Sequence, residues 1–438
     1  MKSLPAVNIC WFRRDLRTED NAALYHALKS DKPVLPLFIF DKNILDDLSN
    51  KADRRVEFIH AAILEMQEVF TKAGGSLQVY YDQPLQVFKK LLAKYSIEKV
   101  FTNTDYEPYA IERDAAVQKL LTEHNASLHS YKDQVIFEKD EIVKSDGKPY
   151  TVFTPYSRVW KATLTPFYYK EYPVKKYLKN LFRQSPQPIP SLQDMGFEPV
   201  EKPFPSSELD KELIKKYTAQ RDYPGIPGTS RLGVHLRFGT ISIRRLVAQV
   251  KDLNQTFLNE LIWRDFYQMI LHHFPKVGKG RAFREEYEHI KWRNNESEFK
   301  KWCQGMTGYP IVDAGMRELN ATGFMHNRVR MITASFLAKH LLIDWRWGEA
   351  YFAEKLLDYD LAANNGGWQW AAGSGCDAAP YFRIFSPARQ TANFDKKLVY
   401  IRKWVPELEE LNYPLPIVEH EMARKRCLEV YTKAVKKT

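Results

Sequence analysis

The run Val34-Leu-Pro-Leu-Phe-Ile-Phe40 decides the fold of the first third of this 438-residue chain. An uninterrupted apolar segment of this length is typical of a β-strand that is buried on both faces. Shorter runs accompany it, so the candidate strands lie at 7–11, 34–40, 77–81, 99–104 and 127–131. Helix-like stretches at 54–73, 84–95 and 110–124 alternate with these strands. The alternation predicts βαβ units, and therefore a Rossmann-like α/β domain built on a parallel five-stranded sheet.

Two later regions have a different character. Nine prolines lie between 155 and 205, which predicts an irregular connector that contains only short helices. Helical periodicity then dominates, at 206–219, 242–253, 258–273, 296–304, 311–322, 328–342 and 347–357. We therefore predict an α/β domain at 1–130, an interdomain connector at 131–205 and an all-α domain at 206–438.

The composition indicates an anionic partner. The formal net charge is +11 and the isoelectric point is about 9.1, which makes nucleic acid the leading candidate. The four cysteines have neither metal-ligand spacing nor the density of a disulfide scaffold, so we expect a reducing compartment and no metal site. No apolar run approaches the ~18 residues that a membrane-spanning helix needs. We expect no membrane partner.

The glycine motifs do not predict an ordinary dinucleotide site. The first strand is followed by Phe12-Arg-Arg-Asp-Leu-Arg17, which contains no glycine. Gly373-Ser-Gly-Cys-Asp-Ala378 satisfies G-x-G-x-x-A, but it follows an apparent helix where the motif requires a strand. We interpret that match as chance.

A different glycine-containing segment suits a phosphate. Gly228-Thr-Ser-Arg-Leu-Gly233 combines hydroxyl groups, glycines and a guanidinium just ahead of a helix-like stretch. Backbone N–H groups at a helix start, together with these side chains, can bind a phosphate or pyrophosphate. An ordinary helix cap explains this segment about as well.

Two helical segments carry polar and aromatic residues on one face. Glu260, Trp263, Arg264 and Tyr267 follow i, i+3, i+4 and i+7 spacing, and such a face resembles a cavity wall for a base extruded from DNA. In His326-Asn-Arg-Val-Arg-Met331 the side chains at 327 and 331 are one turn apart, and the two arginines suit phosphate groups. A helix start with surface arginines is the simpler interpretation of the second segment.

The most unusual segment is Asp358-Tyr-Asp-Leu-Ala-Ala-Asn-Asn-Gly-Gly-Trp-Gln-Trp370. It contains two carboxylates, three carboxamides, a glycine pair and two indoles within thirteen residues. The mixture suits a buried heteroaromatic ligand, which needs hydrogen bonds at its edges and close approach of the backbone. The alternative is a helix end that leads into a tryptophan-containing core helix.

Together these segments resemble one known family. The resemblance is carried by Trp11-Phe-Arg-Arg-Asp-Leu-Arg17, Asn259-Glu-Leu-Ile-Trp-Arg-Asp-Phe-Tyr267, Thr307-Gly-Tyr-Pro-Ile-Val-Asp-Ala314, Met325-His-Asn-Arg-Val-Arg-Met331 and Asp360-Leu-Ala-Ala-Asn-Asn-Gly-Gly-Trp-Gln-Trp370. They are similar to the photolyase/cryptochrome flavoproteins, and most similar to class I cyclobutane pyrimidine dimer photolyases. The resemblance covers essentially the whole chain.

The resemblance implies a light-driven DNA repair enzyme, a carbon–carbon lyase that splits pyrimidine dimers by electron transfer from excited reduced FAD to a flipped-out dimer. The implied FAD contacts are Tyr217, Thr229, Ser230, Arg231, Leu232, Gly233, Asp358, Tyr359, Asp360 and Asn364, with Asn364 facing flavin N5. The implied DNA contacts are Glu260, Trp263, Arg264, Tyr267, Asn327, Arg328, Arg330, Met331 and Trp370. Glu260 and Asn364 would act at the reacting groups, and Trp368, Trp345 and Trp292 match the electron-transfer triad.

The resemblance also implies a second, light-harvesting chromophore on the α/β domain, bordered by 11–17, 40–42 and 105–113. Folate, deazaflavin and flavin types all remain open. We expect a cytoplasmic monomer that associates with the nucleoid when it is bound to dimer-containing DNA.

Two alternatives remain. A cryptochrome-like blue-light receptor would share the fold and the FAD, but plant-type receptors carry Asp and animal-type receptors typically Cys where this chain has Asn364. A flavin-free nucleic-acid-binding protein with the same fold is the second alternative, and a visible absorption spectrum would distinguish it.

Overall fold

The computed structural model describes residues 4–435, and its contacts divide the chain into two units. Unit 1 consists of Met1–Glu138, Leu164–Glu208 and Arg231–Gln249. Unit 2 consists of Lys139–Thr163, Leu209–Ser230 and Val250–Thr438. The predicted connector at 131–205 is therefore divided between the two units.

The strands, in chain order, are β1 (Ala6–Phe12), β2 (Val34–Asp41), β3 (Gln78–Asp82), β4 (Ser96–Asn103) and β5 (Ser127–Tyr131). The α-helices are α1 (Ala22–Leu28), α2 (Lys42–Leu45), α3 (Arg54–Lys72), α4 (Pro84–Lys94), α5 (Pro108–Glu123), α6 (Phe153–Thr163), α7 (Lys211–Gln220), α8 (Gly233–Phe238), α9 (Ile243–Val250), α10 (Gln255–His273), α11 (Glu296–Gln304), α12 (Pro310–Thr322), α13 (Asn327–Ser335), α14 (Trp345–Lys355), α15 (Leu361–Ala372), α16 (Pro387–Phe394), α17 (Val399–Trp404) and α18 (His420–Val435). Shorter 3₁₀ helices lie at Val174–Asn180, Gln193–Met195, Val277–Lys279 and Glu285–His289, and a π-helix at Phe336–His340 follows α13.

The sheet of unit 1 is parallel and has the strand order β3-β2-β1-β4-β5. All eight residues of β2 are buried, as expected for a strand covered on both faces. The strand order reverses beside β1, and the carboxyl ends of β1 and β4 border the crevice where ligands of such sheets usually bind. The predicted α/β class and the five-stranded parallel sheet are confirmed.

Local sequence signals start the helices of unit 1. The side chain of Asn21 accepts the N–H of Leu24 at 3.0 Å and caps α1. Proline opens both α4 and α5, where its missing N–H costs nothing.

Four buried charged residues of unit 1 form a network of ion pairs, which we call the unit 1 charge network. It consists of Arg17, Asp20, Asp133 and Arg244. Asp133 accepts from Arg17 and from Arg244, each at 2.7 Å, and Asp20 accepts from Arg244 Nε at 2.9 Å. Backbone N–H groups of Ala22 and Tyr172 donate to the same two carboxylates.

Unit 2 is helical, and its main apolar cluster lies among α12, α13, the π-helix, α14 and α15. Two glycines allow close packing there. A Cβ added at Gly315 would lie 2.3 Å from Val329 Cγ1, and one added at Gly348 would lie 2.1 Å from the ring of Trp368. The predicted all-α character of this part is confirmed. No helix within residues 4–435 has the length and apolar content needed to cross a membrane.

Candidate functional site

The segment 358–370 forms the start and body of α15. Asp360 caps the helix by accepting the N–H of Ala363 at 3.1 Å, and Gln268 of α10 donates to both of its carboxylate oxygens at 3.2 Å. Just before the cap, Asp358 pairs with Arg330 of α13 at 3.0 Å. A helix start is therefore the correct description of the backbone, and its two carboxylates join α15 to α10 and α13.

The three carboxamides of α15 are held differently. Asn365 and Gln369 are buried, and they bind each other at 2.9 Å and the backbone of the segment 277–283. Asn364 is only half-buried and donates to the carbonyl of Glu349 at 3.1 Å. Of the three, Asn364 is the one that a bound ligand can reach without breaking the packing of α15.

The polar and aromatic face predicted on α10 is present. Trp263 stacks on Phe153 of α6, with ring centroids 3.7 Å apart and an angle of 3° between the planes. Tyr267 packs on α15, because a Cβ added at Gly366 would lie 2.2 Å from its ring. Arg264 is half-buried on the same helix. The indole, the phenol and the backbone of α15 thus form one continuous wall.

Glu260 lies on this face in an ion pair with Arg221, which follows α7. Burial raises the pKa of Glu260 above its ordinary value, and the guanidinium of Arg221 opposes that effect. Asp222 pairs with Arg328 at 2.7 Å, and Arg328 lies 4.3 Å from the ring centroid of Phe394. We call Arg221, Asp222, Glu260 and Arg328 the unit 2 charge network.

No pattern in the sequence singles out Arg221 or Asp222. They follow the end of a helix and belong to no motif, so only the fold brings them to Glu260 and Arg328. Arg330, predicted as a DNA contact, lies against the predicted cofactor residue Asp358 and also donates to the carbonyl of Met325 at 2.7 Å.

The start of α13 presents two more of the predicted contacts. Burial lowers the pKa of His326 to about 4, so its ring stays neutral and its Nδ1 accepts the N–H of Arg328 at 3.2 Å. Asn327 is exposed, and its amide nitrogen lies 3.9 Å from the sulfur of Met331, one turn later. The two side chains therefore lie on one face of α13, and their place in a cavity wall stays a prediction.

The remaining predicted cofactor residues lie in two segments. Tyr217 is buried in α7, with its ring 5.1 Å from Phe257, and Thr229 and Ser230 end the same part of unit 2. Arg231, Leu232 and Gly233 open the next segment of unit 1, with Gly233 as the first residue of α8. Arg231 has φ of 54°, a backbone conformation that is unusual for a residue with a side chain and that often marks functional segments.

The three tryptophans of the predicted triad belong to one apolar cluster. Trp368 and Trp345 are buried in it, and Trp292 packs against it. Trp368 lies edge-on to Phe352 at 5.0 Å, and within residues 4–435 its Nε1 has no hydrogen-bond partner. The sequence could not distinguish these indoles from packing residues, because each of them also packs.

An open pocket lies between α10, α15 and the loop after α15, and its empty space of about 400 Å³ includes open solvent. Its wall includes Tyr267, Gly366, Trp370 and Cys376. Cys376 and Asp377 belong to the segment that matches G-x-G-x-x-A, so this segment does border a cavity, although not as a dinucleotide turn. Burial raises the pKa of Cys376 to about 12, which keeps it a neutral thiol.

The crevice of the sheet in unit 1 is lined by the side chains at the strand ends. The guanidinium groups of Arg13 and Arg113 lie 4.9 and 5.0 Å from the ring centroid of Trp11. Tyr109 donates to Asp41 at 2.6 Å beside them. These residues come from the three segments that the sequence predicts to border a second chromophore.

Comparison with known proteins gives consistent matches over the whole chain. A model described as the FAD binding domain of DNA photolyase matches residues 257–412, and one described as DNA photolyase matches residues 8–176. The deoxyribodipyrimidine photo-lyase of Escherichia coli is 37% identical over 473 residues, covering 98% of this chain and 99% of that protein.

Solved structures agree. A class III photolyase from Agrobacterium tumefaciens has a TM-score of 0.86 at 34% identity, covering 100% of this chain and 99% of that one. A photolyase from Sulfolobus tokodaii, crystallised with two FAD molecules, has a TM-score of 0.82 at 33% identity, covering 98% of this chain and 100% of that one.

Proposed function

Because this chain belongs to the DNA photolyase family, we propose that it is a deoxyribodipyrimidine photo-lyase, which uses light and FAD to split cyclobutane pyrimidine dimers in DNA. The observation that carries the proposal is the identity of 37% to a curated enzyme of this name over nearly the full length of both chains. The cavity between α10 and α15 gives limited support, because two of the proposed DNA contacts, Tyr267 and Trp370, lie in its wall and offer aromatic rings to an extruded base.

The residues of unit 2 fit FAD. The carboxylates of Asp358 and Asp360 and the carboxamide of Asn364 offer acceptors and donors at one end of α15. Among residues 4–435, the buried oxygens Asn259 Oδ1 and Gln268 Oε1 on α10 have no hydrogen-bond partner, which suits a ligand with polar edges. In unit 2, FAD would be held by Tyr217, Thr229, Ser230, Asp358, Tyr359, Asp360 and Asn364. Arg231, Leu232 and Gly233, which follow Ser230 in the chain and belong to unit 1, stay contacts predicted from the resemblance. When bound, reduced FAD supplies the electron that opens the cyclobutane ring and takes it back afterwards.

The protein contributes position and electrostatics to this chemistry. We assign the aromatic contacts with the dimer to Trp263 and Trp370. We assign the hydrogen bond to the dimer's polar edge to Glu260. Burial raises the pKa of Glu260 and Arg221 opposes that effect, so the carboxyl takes up a proton more readily than an exposed one. In its protonated form Glu260 would donate a hydrogen bond to the dimer as negative charge develops there. The DNA contacts as a set are Glu260, Trp263, Arg264, Tyr267, Asn327, Arg328, Arg330, Met331 and Trp370.

Two further roles belong to the proposal. Trp292, Trp345 and Trp368 would carry electrons through the apolar cluster to the flavin. A second, light-harvesting chromophore would bind at the crevice beside Trp11, with folate, deazaflavin and flavin types all open.

We also infer that the chain acts as a cytoplasmic monomer within the class I branch, and that it joins the nucleoid when it binds damaged DNA.

The cryptochrome-like alternative is not favoured, because the curated relatives that cover the whole chain carry the name of the repair enzyme. A flavin-free protein is not favoured either, because the FAD-binding model matches residues 257–412.

The direct test is a repair assay. The purified, chemically reduced protein is illuminated with an oligonucleotide that contains one thymine dimer, and restored thymines are measured. We expect repair in the light and none in the dark, with flavin bands in the absorption spectrum. Binding to the dimer-containing duplex should weaken as salt rises, because phosphate contacts release counterions. A flavin-containing protein that repairs nothing in the light would contradict the proposal.

A further inference from the structure

Helix α6 is attached to α10 along its whole length. Phe153 stacks on Trp263, the ring of Tyr156 lies 5.2 Å from that of Phe266, and Trp160 Nε1 donates to Asp265 at 2.9 Å. Positions 153, 156 and 160 follow i, i+3, i+7 spacing, so one face of α6 makes all three contacts. Although α6 lies in the proline-rich region, these three side chains are buried.

The contact between Phe153 and Trp263 is unusual in its geometry. Aromatic pairs usually prefer offset or edge-on arrangements to full face-to-face overlap. Here the planes are 3° apart and the centroids 3.7 Å apart, so the rings overlap almost fully. Since an isolated pair would not favour this arrangement, the contacts around the two rings must impose it.

Two hydrogen bonds, one near each end of α6, hold Phe153 in place. Its backbone N–H, at the first residue of α6, donates to Asp377 at 3.0 Å, and Asp377 belongs to the cavity wall. Trp160 fixes the other end of the helix through Asp265. Phe153 is thus anchored to α10 and to the loop after α15, which are the two elements that border the cavity.

We propose that Phe153 is a positioning residue, which holds the indole plane of Trp263 in the orientation that stacks on a flipped pyrimidine dimer. Phe153 covers one face of the half-buried indole, and the ring of Tyr267 lies 5.4 Å from it at an angle of 29°. The part of the indole that these two rings leave exposed is what the dimer can contact. Phe153 itself does not touch the dimer. The inference rests on the proposed function, because it assigns the stacking role to Trp263.

A purely structural role for Phe153 makes a different prediction, and α6 offers a matched control. Tyr156 is also an aromatic residue that joins α6 to α10, but its ring packs on Phe266. If both rings only attach the helix, Phe153→Leu and Tyr156→Leu should have the same effects. If Phe153 orients Trp263, its replacement should affect recognition of the dimer selectively.

The experiment measures the dissociation constants of the full-length holoprotein for a duplex with one thymine dimer and for the same undamaged duplex. We expect Phe153→Leu to reduce the preference for damaged DNA by about threefold to tenfold, the range of one aromatic pair. Tyr156→Leu should keep the preference, and Phe153→Tyr should restore it. Flavin content and the thermal unfolding midpoint are recorded for each variant.

A double-mutant cycle separates action through Trp263 from direct action. In a Trp263→Ala background, Phe153→Leu should cause no further loss of preference. An undiminished loss in that background, or equal losses for Phe153→Leu and Tyr156→Leu in the parent background, would overturn the inference. If the parent protein itself shows neither repair nor preference for the dimer, the proposed function fails, which is a distinct result.

Discussion

The two charge networks have similar composition and different surroundings. In the unit 1 charge network the side chains of Asp20 and Asp133 are 0% and 1% exposed, and two arginines serve the two carboxylates. In the unit 2 charge network, Glu260 and Arg221 are 30% and 23% exposed. One network is closed to solvent, and the other is partly open to it. Burial of a charge is tolerated where its pairing is complete.

Asp133 in the unit 1 charge network and Glu260 in the unit 2 charge network have pKa shifts of opposite direction. Burial alone would raise the pKa of Asp133, but Arg17 and Arg244 outweigh it and hold the pKa below its ordinary value. For Glu260 burial dominates, and the single guanidinium of Arg221 does not compensate. The first carboxylate is therefore fixed as an anion for structural reasons. The second can gain a proton, which is what a group that must respond to a reacting ligand requires.

The strongest test of this contrast is Asp133→Ala. Removing one carboxylate leaves Arg17 and Arg244 buried without their main partner, so the free energy of unfolding of unit 1 should fall by about 3–5 kcal/mol. Denaturant titration measures it. Asp222→Ala, which breaks an ion pair of partly exposed groups, should cost about 1 kcal/mol or less. Equal losses in the two variants would contradict the distinction between the networks.

The same pairing predicts a pH dependence with a definite sign. Because the folded pKa of Asp133 lies below the unfolded value of about 3.9, its contribution is present above that pH. The contribution is lost as the pH falls through the folded pKa. Asp133→Ala should therefore flatten the acid limb of the stability profile.

These networks also show what the sequence could predict. The sheet was predictable because strands buried on both faces appear as apolar runs, and the wall of α10 was predictable because one helix face follows from spacing. Arg17 and Arg244 are more than 200 positions apart, and no local pattern relates them. For the same reason the contact of Phe153 with Trp263 was not predictable, and the prolines around α6 suggested only a connector.

The contrast extends to the buried indoles of unit 2. Trp302 donates its N–H to the carbonyl of Thr333 at 3.2 Å, whereas the N–H of Trp368 has no partner among residues 4–435. We expect Trp368→Phe to abolish most photoreduction of oxidised FAD while sparing repair by chemically reduced protein. Trp302→Phe removes this hydrogen bond, although the carbonyl of Thr333 still accepts the N–H of Phe336. We expect it to lower stability by about 1 kcal/mol while photoreduction continues.

Transient absorption after a light pulse and denaturant titration measure the two effects. Photoreduction that is unchanged in Trp368→Phe would remove Trp368 from the electron path. Photoreduction lost equally in both variants would show that the cluster responds as a whole, and that the unpaired N–H does not distinguish one indole from the other.

Glu260→Ala tests the unit 2 charge network for function. The loss of a hydrogen bond to a group that becomes charged should lower the repair yield by about tenfold to a hundredfold. The pair with Arg221 is partly exposed, so stability should change by about 1 kcal/mol or less. Flavin absorbance and repaired thymines are measured on the same sample. Equal fractional losses of flavin and repair would indicate a structural role, like that of Asp133.

Arg221→Gln is the finest test, because it changes the proton affinity of Glu260 and leaves the carboxyl in place. Arg221 opposes the effect of burial, so its removal should raise the pKa of Glu260 further. If the protonated carboxyl donates to the dimer, repair at limiting substrate falls as the pH rises through that pKa. The midpoint of this fall should move upward in Arg221→Gln, and Arg221→Lys should keep it near the parent value. A midpoint that stays fixed in both variants would mean that the pH profile belongs to another group.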